Sequence, residues 1–105
     1  MFKEEEIKEI INKIKDFSDP EKILLFGSYA KRNPSDASDI DILIIKLSDE
    51  PFHKRARKIR AIFRESGIPL DILVYTPEEI ERLKNIKGNM VNETLKSGVV
   101  VYEKR

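Results

Sequence analysis

Asp39 and Asp41, in the segment SDIDILII (38–45), are the residues whose type and spacing most directly suggest chemistry. Residues two apart on a β-strand point to the same face, and the strand rise separates them by about 7 Å. Two ionised carboxylates held this close repel each other, and a cation between them relieves the repulsion. Magnesium prefers carboxylate oxygens together with waters and substrate phosphates. The pair therefore predicts a magnesium site at the start of a strand.

Asp71 is a candidate third carboxylate. It lies in PLDILVY (69–75), near the start of another apolar run, and two apolar residues follow it as they follow Asp41. If the two strands are neighbours, Asp71 completes the cluster. Three carboxylates are enough to hold two metal ions a few ångströms apart, which is the arrangement used for in-line phosphoryl transfer.

A Gly-Ser pair precedes the acids and predicts a phosphate-binding turn. Gly27 ends an apolar run and lets a backbone come close to a ligand. Ser28 is expected to open a helical turn, whose free N–H groups and partial positive charge favour phosphate. Lys31 and Arg32 follow at once, and both could reach a triphosphate.

The rest of the chain predicts the elements that hold these residues. Apolar residues at helical spacing, strand-like apolar runs and Gly or Pro breaks indicate an α+β domain, a mixed sheet of about four strands with helices packed on it. We expect helices at 3–17, 51–66, 76–86 and 89–97, and strands at 22–27, 39–47, 69–76 and 99–103. The inward stripes of the first two helices are Ile7, Ile10, Ile11, Ile14 and Phe17, and Phe52, Ala56, Ile59, Ile62 and Phe63.

Composition limits the class of protein. The chain has 105 residues, which predicts one domain over 1–105. Its formal net charge of +1 argues against nucleic-acid binding by bulk electrostatics. No apolar run approaches the length of a membrane span, and the absence of cysteine excludes disulfides and a thiol nucleophile. We therefore expect a cytoplasmic protein that binds neither a membrane nor, directly, nucleic acid.

GSYAKR (27–32) followed by SDIDILI (38–44) resembles the signature of the polymerase-beta-type nucleotidyltransferases. Length and layout resemble the smallest branch, the minimal nucleotidyltransferases (MNT proteins), over nearly the whole chain. Gly27, Ser28, Asp39 and Asp41 match the family pattern residue by residue, and Asp71 matches its third carboxylate by context. The resemblance implies the polymerase-beta-like fold.

The resemblance also implies an activity and a partner. Members transfer a nucleoside monophosphate from ATP to a hydroxyl, with magnesium bound by the three carboxylates. MNT proteins usually act as antitoxins beside a HEPN-domain ribonuclease toxin, and some add AMP to a tyrosine of that toxin. By this resemblance, Asp39, Asp41 and Asp71 are the catalytic and metal-binding residues, and Gly27, Ser28, Lys31 and Arg32 bind the phosphates.

Two positions depart from the family pattern, and other functions stay open. Lys31 stands where the family often has Arg, which keeps the charge but loses the bidentate fork, and Arg32 stands where it often has Gly.

One alternative is an antitoxin that binds its toxin without catalysis. Another is a catalytic subunit that needs a separate substrate-binding subunit. Because the last predicted strand ends near Arg105, we expect an open cleft that takes a macromolecular acceptor.

The remaining candidates have structural interpretations. His53, the single histidine, begins a helix beside basic residues and is expected at the surface. The basic run of that helix favours a solvated face, with a docking surface for an acidic partner or nucleic acid as the alternative. The run consists of Lys54, Arg55, Arg57, Lys58, Arg60 and Arg64.

Overall fold

A computed structural model describes residues 3–30 and 39–105 of the chain, without the Ser28 side chain. Within these residues, four strands form one sheet in the order β3-β2-β1-β4. The strands are β1 (Lys22–Phe26), β2 (Ile40–Ile45), β3 (Leu70–Tyr75) and β4 (Val99–Glu103). β1 runs antiparallel to β2 and β4, whereas β2 and β3 are parallel. The predicted mixed sheet of four strands is therefore confirmed.

Helices cover both faces of the sheet. They are α1 (Glu4–Ser18), α2 (Gly27–Ala30), α3 (Phe52–Arg55), α4 (Arg57–Ala61), α5 (Pro77–Leu83) and α6 (Met90–Ser97), with a 3-10 turn at Arg64–Ser66. α1 and α4 pack on the face that carries Ile40, Ile42 and Ile44. α5 and α6 contribute Ile80 and Val91 to the opposite face, which carries Leu43 and Ile45. The strand alternation read from the sequence thus assigns the two faces correctly. Within the described ranges, no helix has the length and apolar character needed to cross a bilayer.

The predicted helix at 51–66 is wrong as one continuous element. It divides into α3, α4 and the 3-10 turn, with Ala56 between the first two. Ala56, Ile59 and Phe63 are buried as expected, but Phe52 and Ile62 are exposed. Phe17 of α1 is also exposed, against expectation, and the buried residue of that last turn is Ser18, whose hydroxyl donates to the Ile14 carbonyl oxygen.

The interpretation of the basic run as a solvated face is wrong for Arg55. Its side chain is only 9% exposed, and its Nη1 and Nη2 donate to the Glu79 carboxylate at 2.6 and 3.1 Å. Nη1 also donates to the Val74 carbonyl oxygen, and Nε to that of Glu50. Glu79 meanwhile completes the predicted capping box of α5 with Thr76. The hydrogen bonds of Arg55 therefore join α3 to β3 and α5, and its charge stabilises the fold.

Glu79→Gln is expected to lower the free energy of unfolding by about 2 kcal/mol at neutral pH, because it leaves a nearly buried guanidinium without its counter-charge. The Arg55 hydrogen bond, opposed by burial and aided by the Thr76 N–H, lowers the pKa of Glu79. Ionised Glu79 therefore stabilises the folded state above its unfolded pKa, and this contribution is lost as pH falls through its folded pKa. Denaturant unfolding from pH 7 downward should show the two proteins converging in acid.

Glu78→Gln is the matched control for this prediction. Glu78 is the exposed neighbour of Glu79 in the first turn of α5, so the change removes the same charge from the same helix end. We expect it to alter stability by a few tenths of a kcal/mol. Equal losses in Glu78→Gln and Glu79→Gln would contradict a specific role for the Arg55 pair.

Candidate functional site

Asp41 and Asp71 lie side by side on the parallel strands β2 and β3. Their Cα atoms are register partners, one residue after the pair formed by Ile40 and Leu70. Residues in register on adjacent strands project to the same face of the sheet. That face carries Leu43 and the α5–α6 helices. Two of the three predicted carboxylates are therefore neighbours, as the sequence required for a shared site.

The electrostatics of Asp41 join the third carboxylate to the pair. Burial, then the charge of Asp71, then the charge of Asp39 raise the pKa of Asp41 above its ordinary value. Asp39 immediately precedes β2 and is exposed, as is Asp71, so Asp41 is the most enclosed of the three. The two like charges disfavour the ionised form of Asp41, so a cation placed among the three carboxylates would stabilise it.

Gly27 brings the Gly-Ser turn against Asp41. Its φ of +70° lies in the left-handed region, and a Cβ built on it would overlap Oδ2 of Asp41 and lie 3.2 Å from its Cγ. Phe26, the residue before it, is the register partner of Asp41 across β1 and β2. The end of β1 and the start of β2 thus meet at this carboxylate, and glycine is the residue that leaves it room.

The carboxylates suit a magnesium ion by donor type, but they do not form a ready-made cage. Among the described residues, no three acidic or histidine side chains are gathered closely enough to hold an ion by themselves. The electrostatic coupling of Asp41 to Asp71 and Asp39 does not conflict with this, because Coulomb forces act well beyond coordination distance. Magnesium commonly takes one or two carboxylates and completes its shell with water and substrate phosphates. The residues present fit that mode of binding.

The structure describes only some of the other predicted site residues. Ser28 lies in α2, which begins at Gly27 and not, as expected, at Ser28. Lys31 and Arg32 lie outside the described residues, so their phosphate-binding role stays a prediction. Sequence reasoning missed the contact between Gly27 and Asp41, since spacing alone does not show which side chain a turn approaches. It also missed Arg60, whose Nη2 donates to the carbonyl oxygen of Ile72, beside Asp71.

Comparison with known proteins agrees with this geometry. The family model described as polymerase beta, nucleotidyltransferase matches residues 5–105. Two proteins of Methanocaldococcus jannaschii, each named as a candidate protein adenylyltransferase, are similar in sequence. One is 34% identical over 94 residues, covering 90% of this chain and 89% of its own. The other is 32% identical over 104 residues, covering 97% and 100%.

Two solved structures share the fold. A crystal structure of a candidate nucleotidyltransferase from Sulfolobus solfataricus superposes with a TM-score of 0.64 at 23% identity, covering 93% of this chain and 78% of that one. A toxin–antitoxin structure with AMP-PNP gives a TM-score of 0.66 at 18% identity, covering 93% and 73%. The polymerase-beta-like fold expected from the sequence is therefore confirmed. The chain belongs to the polymerase beta nucleotidyltransferase family, in its minimal (MNT) branch, and is a nucleotidyltransferase.

Proposed function

We propose that this protein transfers AMP from ATP to a hydroxyl group of a partner protein, with magnesium bound at the three carboxylates. The observation that carries the proposal is the register pairing of Asp41 with Asp71, with Gly27 packed against Asp41. This places a glycine turn and like-charged carboxylates at one end of the sheet. Such a site binds a polyphosphate through cations that lie between the carboxylates and the phosphates and neutralise both.

The proposal gives each site residue a role. Asp39 and Asp41 would hold magnesium, and Asp71 would share it or a second ion. The backbone N–H groups of Gly27 and Ser28 would hold the terminal phosphates, beside the Asp41 carboxylate that the absence of a Cβ admits. Lys31 and Arg32 are proposed to balance the remaining phosphate charge. Bound magnesium would polarise the phosphates and lower the pKa of the acceptor hydroxyl.

The transfer itself needs no covalent enzyme intermediate. The acceptor oxygen attacks the α-phosphorus of ATP and forms a new P–O bond. The bond from that phosphorus to the bridging oxygen breaks, and pyrophosphate leaves with the electron pair. Asp71 is the proposed base that takes the hydroxyl proton, since it is the exposed member of the register pair and can face an incoming acceptor. Positioning and charge neutralisation would supply most of the acceleration.

A protein acceptor is supported by the M. jannaschii relatives, whose names describe protein adenylyltransferases. A toxin as that acceptor is suggested by the toxin–antitoxin structure that shares the fold. We propose that the partner is a HEPN-domain toxin, that the acceptor is a tyrosine hydroxyl, and that the pair acts in the cytoplasm. The protein would then be an antitoxin that silences its toxin by covalent modification.

The test is label transfer into the co-purified partner protein. ATP labelled at the α-phosphate should label the partner in the presence of magnesium, whereas ATP labelled at the γ-phosphate should not. Chelation with EDTA should abolish the transfer. Partner that binds tightly and stays unlabelled would favour the non-catalytic antitoxin, and label from the γ-phosphate would contradict nucleotidyl transfer.

A further inference from the structure

The two edge strands of the sheet, β3 and β4, differ in the hydrogen bonds made by their outward-facing backbone groups. At the β3 edge, Arg60 donates to the carbonyl oxygen of Ile72 at 3.3 Å, and Arg55 donates to that of Val74 at 3.2 Å. These carbonyls belong to alternate residues of the edge strand, so guanidinium groups occupy positions that a further strand would use. Protection of an exposed edge is a common device against unwanted strand pairing.

The β4 edge carries no such protection in the part of the chain that the structure describes. No backbone–backbone hydrogen bond joins the outer edge of Val99–Val101 to another described residue. Val99 and Val100 are 45% and 48% exposed. The strand VVVYE contains no proline, and its single charged residue, Glu103, stands at its end beside Lys22. β4 therefore has the properties of a strand that receives a partner strand.

A groove of 610 Å³ lies between α1, α2 and the β1 and β4 strands, and it reaches this open edge. Ile7 and Ile11 of α1 form one wall, and Val99 and Val101 of β4 form another. Glu4, Lys8 and Asn12 line its polar rim. Apolar surface next to unpaired strand edges gives an incoming strand both backbone hydrogen bonds and side-chain contacts.

We propose that the occupant is a second copy of this chain, with β4 pairing antiparallel to β4 of that copy about a two-fold axis. Two four-stranded sheets would then join into one continuous sheet. An interface of this kind is closed, because the same surface is used on both copies and none is left to propagate. The inference is independent of the proposed function.

The charge pattern of α1 favours a second copy over an unrelated partner. Glu4 and Ile7 line the groove together with Val99, whereas Nζ of Lys15 lies 5.9 Å from the Tyr102 ring centroid. α1 therefore runs in the same direction as β4, with an acid at one end and a base at the other. A two-fold rotation reverses this order in the second copy, so Glu4 of each copy is brought toward Lys15 of the other. Opposite charges at both ends make the surface complementary to itself.

The first test measures the molar mass of the purified full chain by light scattering over a dilution series. We expect twice 12.2 kDa at high concentration and dissociation on dilution. Val100→Glu places like charges near the two-fold axis and should give a monomer with unchanged circular dichroism, whereas Val100→Thr should stay a dimer. A wild type that is monomeric at every concentration, or a dimeric Val100→Glu, would overturn the proposal. So would a monomer whose β4 amides become protected from hydrogen exchange only when a different protein is added.

The second test is a charge exchange across the interface. Glu4→Lys and Lys15→Glu should each weaken the dimer about two- to fivefold, and the double variant should restore it. Glu5→Lys makes the same change in the first turn of α1, one position from the groove, and should leave the dimer constant unchanged. A double variant as weak as the singles would overturn the antiparallel arrangement.

Discussion

Asp41→Asn should reduce nucleotidyl transfer about a thousandfold, corresponding to about 4 kcal/mol of lost transition-state stabilisation. The amide keeps the shape of the side chain but loses the charge that attracts a cation. Because Asp41 is the most enclosed of the three carboxylates and lies against Gly27, its replacement should affect the site more than that of an exposed acid.

The same substitution should leave the protein as stable as the wild type or more stable. Burial and the charges of Asp71 and Asp39 raise the pKa of Asp41 in the folded state. Ionised Asp41 therefore costs folding free energy once pH exceeds its unfolded pKa, and this cost is complete above its folded pKa. Asn carries no such cost. Because Asp41 is partly solvated, we expect a gain of at most about 1 kcal/mol without divalent metal.

Two measurements check this pair of expectations. Initial rates of label transfer give the activity, and thermal unfolding in EDTA between pH 3 and pH 8 gives the stability, with the advantage of Asp41→Asn growing as pH rises. Asp49→Asn is the matched control, because Asp49 is exposed in the loop beyond the other end of β2. A large loss of both activity and stability in Asp41→Asn would indicate a structural role for the carboxylate.

Gly27→Ala should reduce transfer about a hundredfold while lowering stability by only about 1 kcal/mol. The stability cost comes from the φ of +70°, which alanine adopts with strain. The activity cost comes from the new Cβ, which would overlap Oδ2 of Asp41. That oxygen is at the end of a short side chain, so the carboxylate can rotate away and the backbone need not move. The site would lose its geometry while the fold persists.

Gly67→Ala separates these two causes. Gly67 has the same φ of +70°, but no heavy atom lies within 4 Å of the position of its Cβ. We expect the same loss of stability and unchanged transfer. Comparable activity losses in Gly27→Ala and Gly67→Ala would show that backbone strain, and not contact with Asp41, lowers the rate.

The sequence predicted most of the fold because its local signals agree with one another. The start of α5 is marked by Thr76, Pro77 and Glu79. Their capping contacts involve only residues close by in the sequence. The alternation of β2 assigned its two faces for the same reason. The division of residues 51–66 into short helices could not be predicted. The ion pair of Arg55 with Glu79 could not be predicted either, because the two residues are 24 apart in the sequence and helical periodicity carries no trace of such a contact.

Of the candidate site, the sequence predicted that Asp41 and Asp71 are neighbours, but not the contacts around them. The similar settings of Asp41 and Asp71 indicated neighbouring strands, and the structure places them in register. The contact of Gly27 with Asp41 follows from the antiparallel pairing of β1 with β2, which sets Phe26 opposite Asp41. Local sequence does not determine that register, so this contact and the enclosure of Asp41 required the three-dimensional structure.

Paramagnetic broadening by manganese measures directly whether Asp39, Asp41 and Asp71 hold a divalent ion together with a nucleotide. Manganese takes the same oxygen ligands as magnesium. In amide NMR spectra with a non-hydrolysable ATP analogue, we expect the signals of Gly27, Asp39, Asp41 and Asp71 to broaden first and Asp41→Asn to remove the effect. Broadening centred on another acidic segment, such as Glu4–Glu6 of α1, would contradict this expectation.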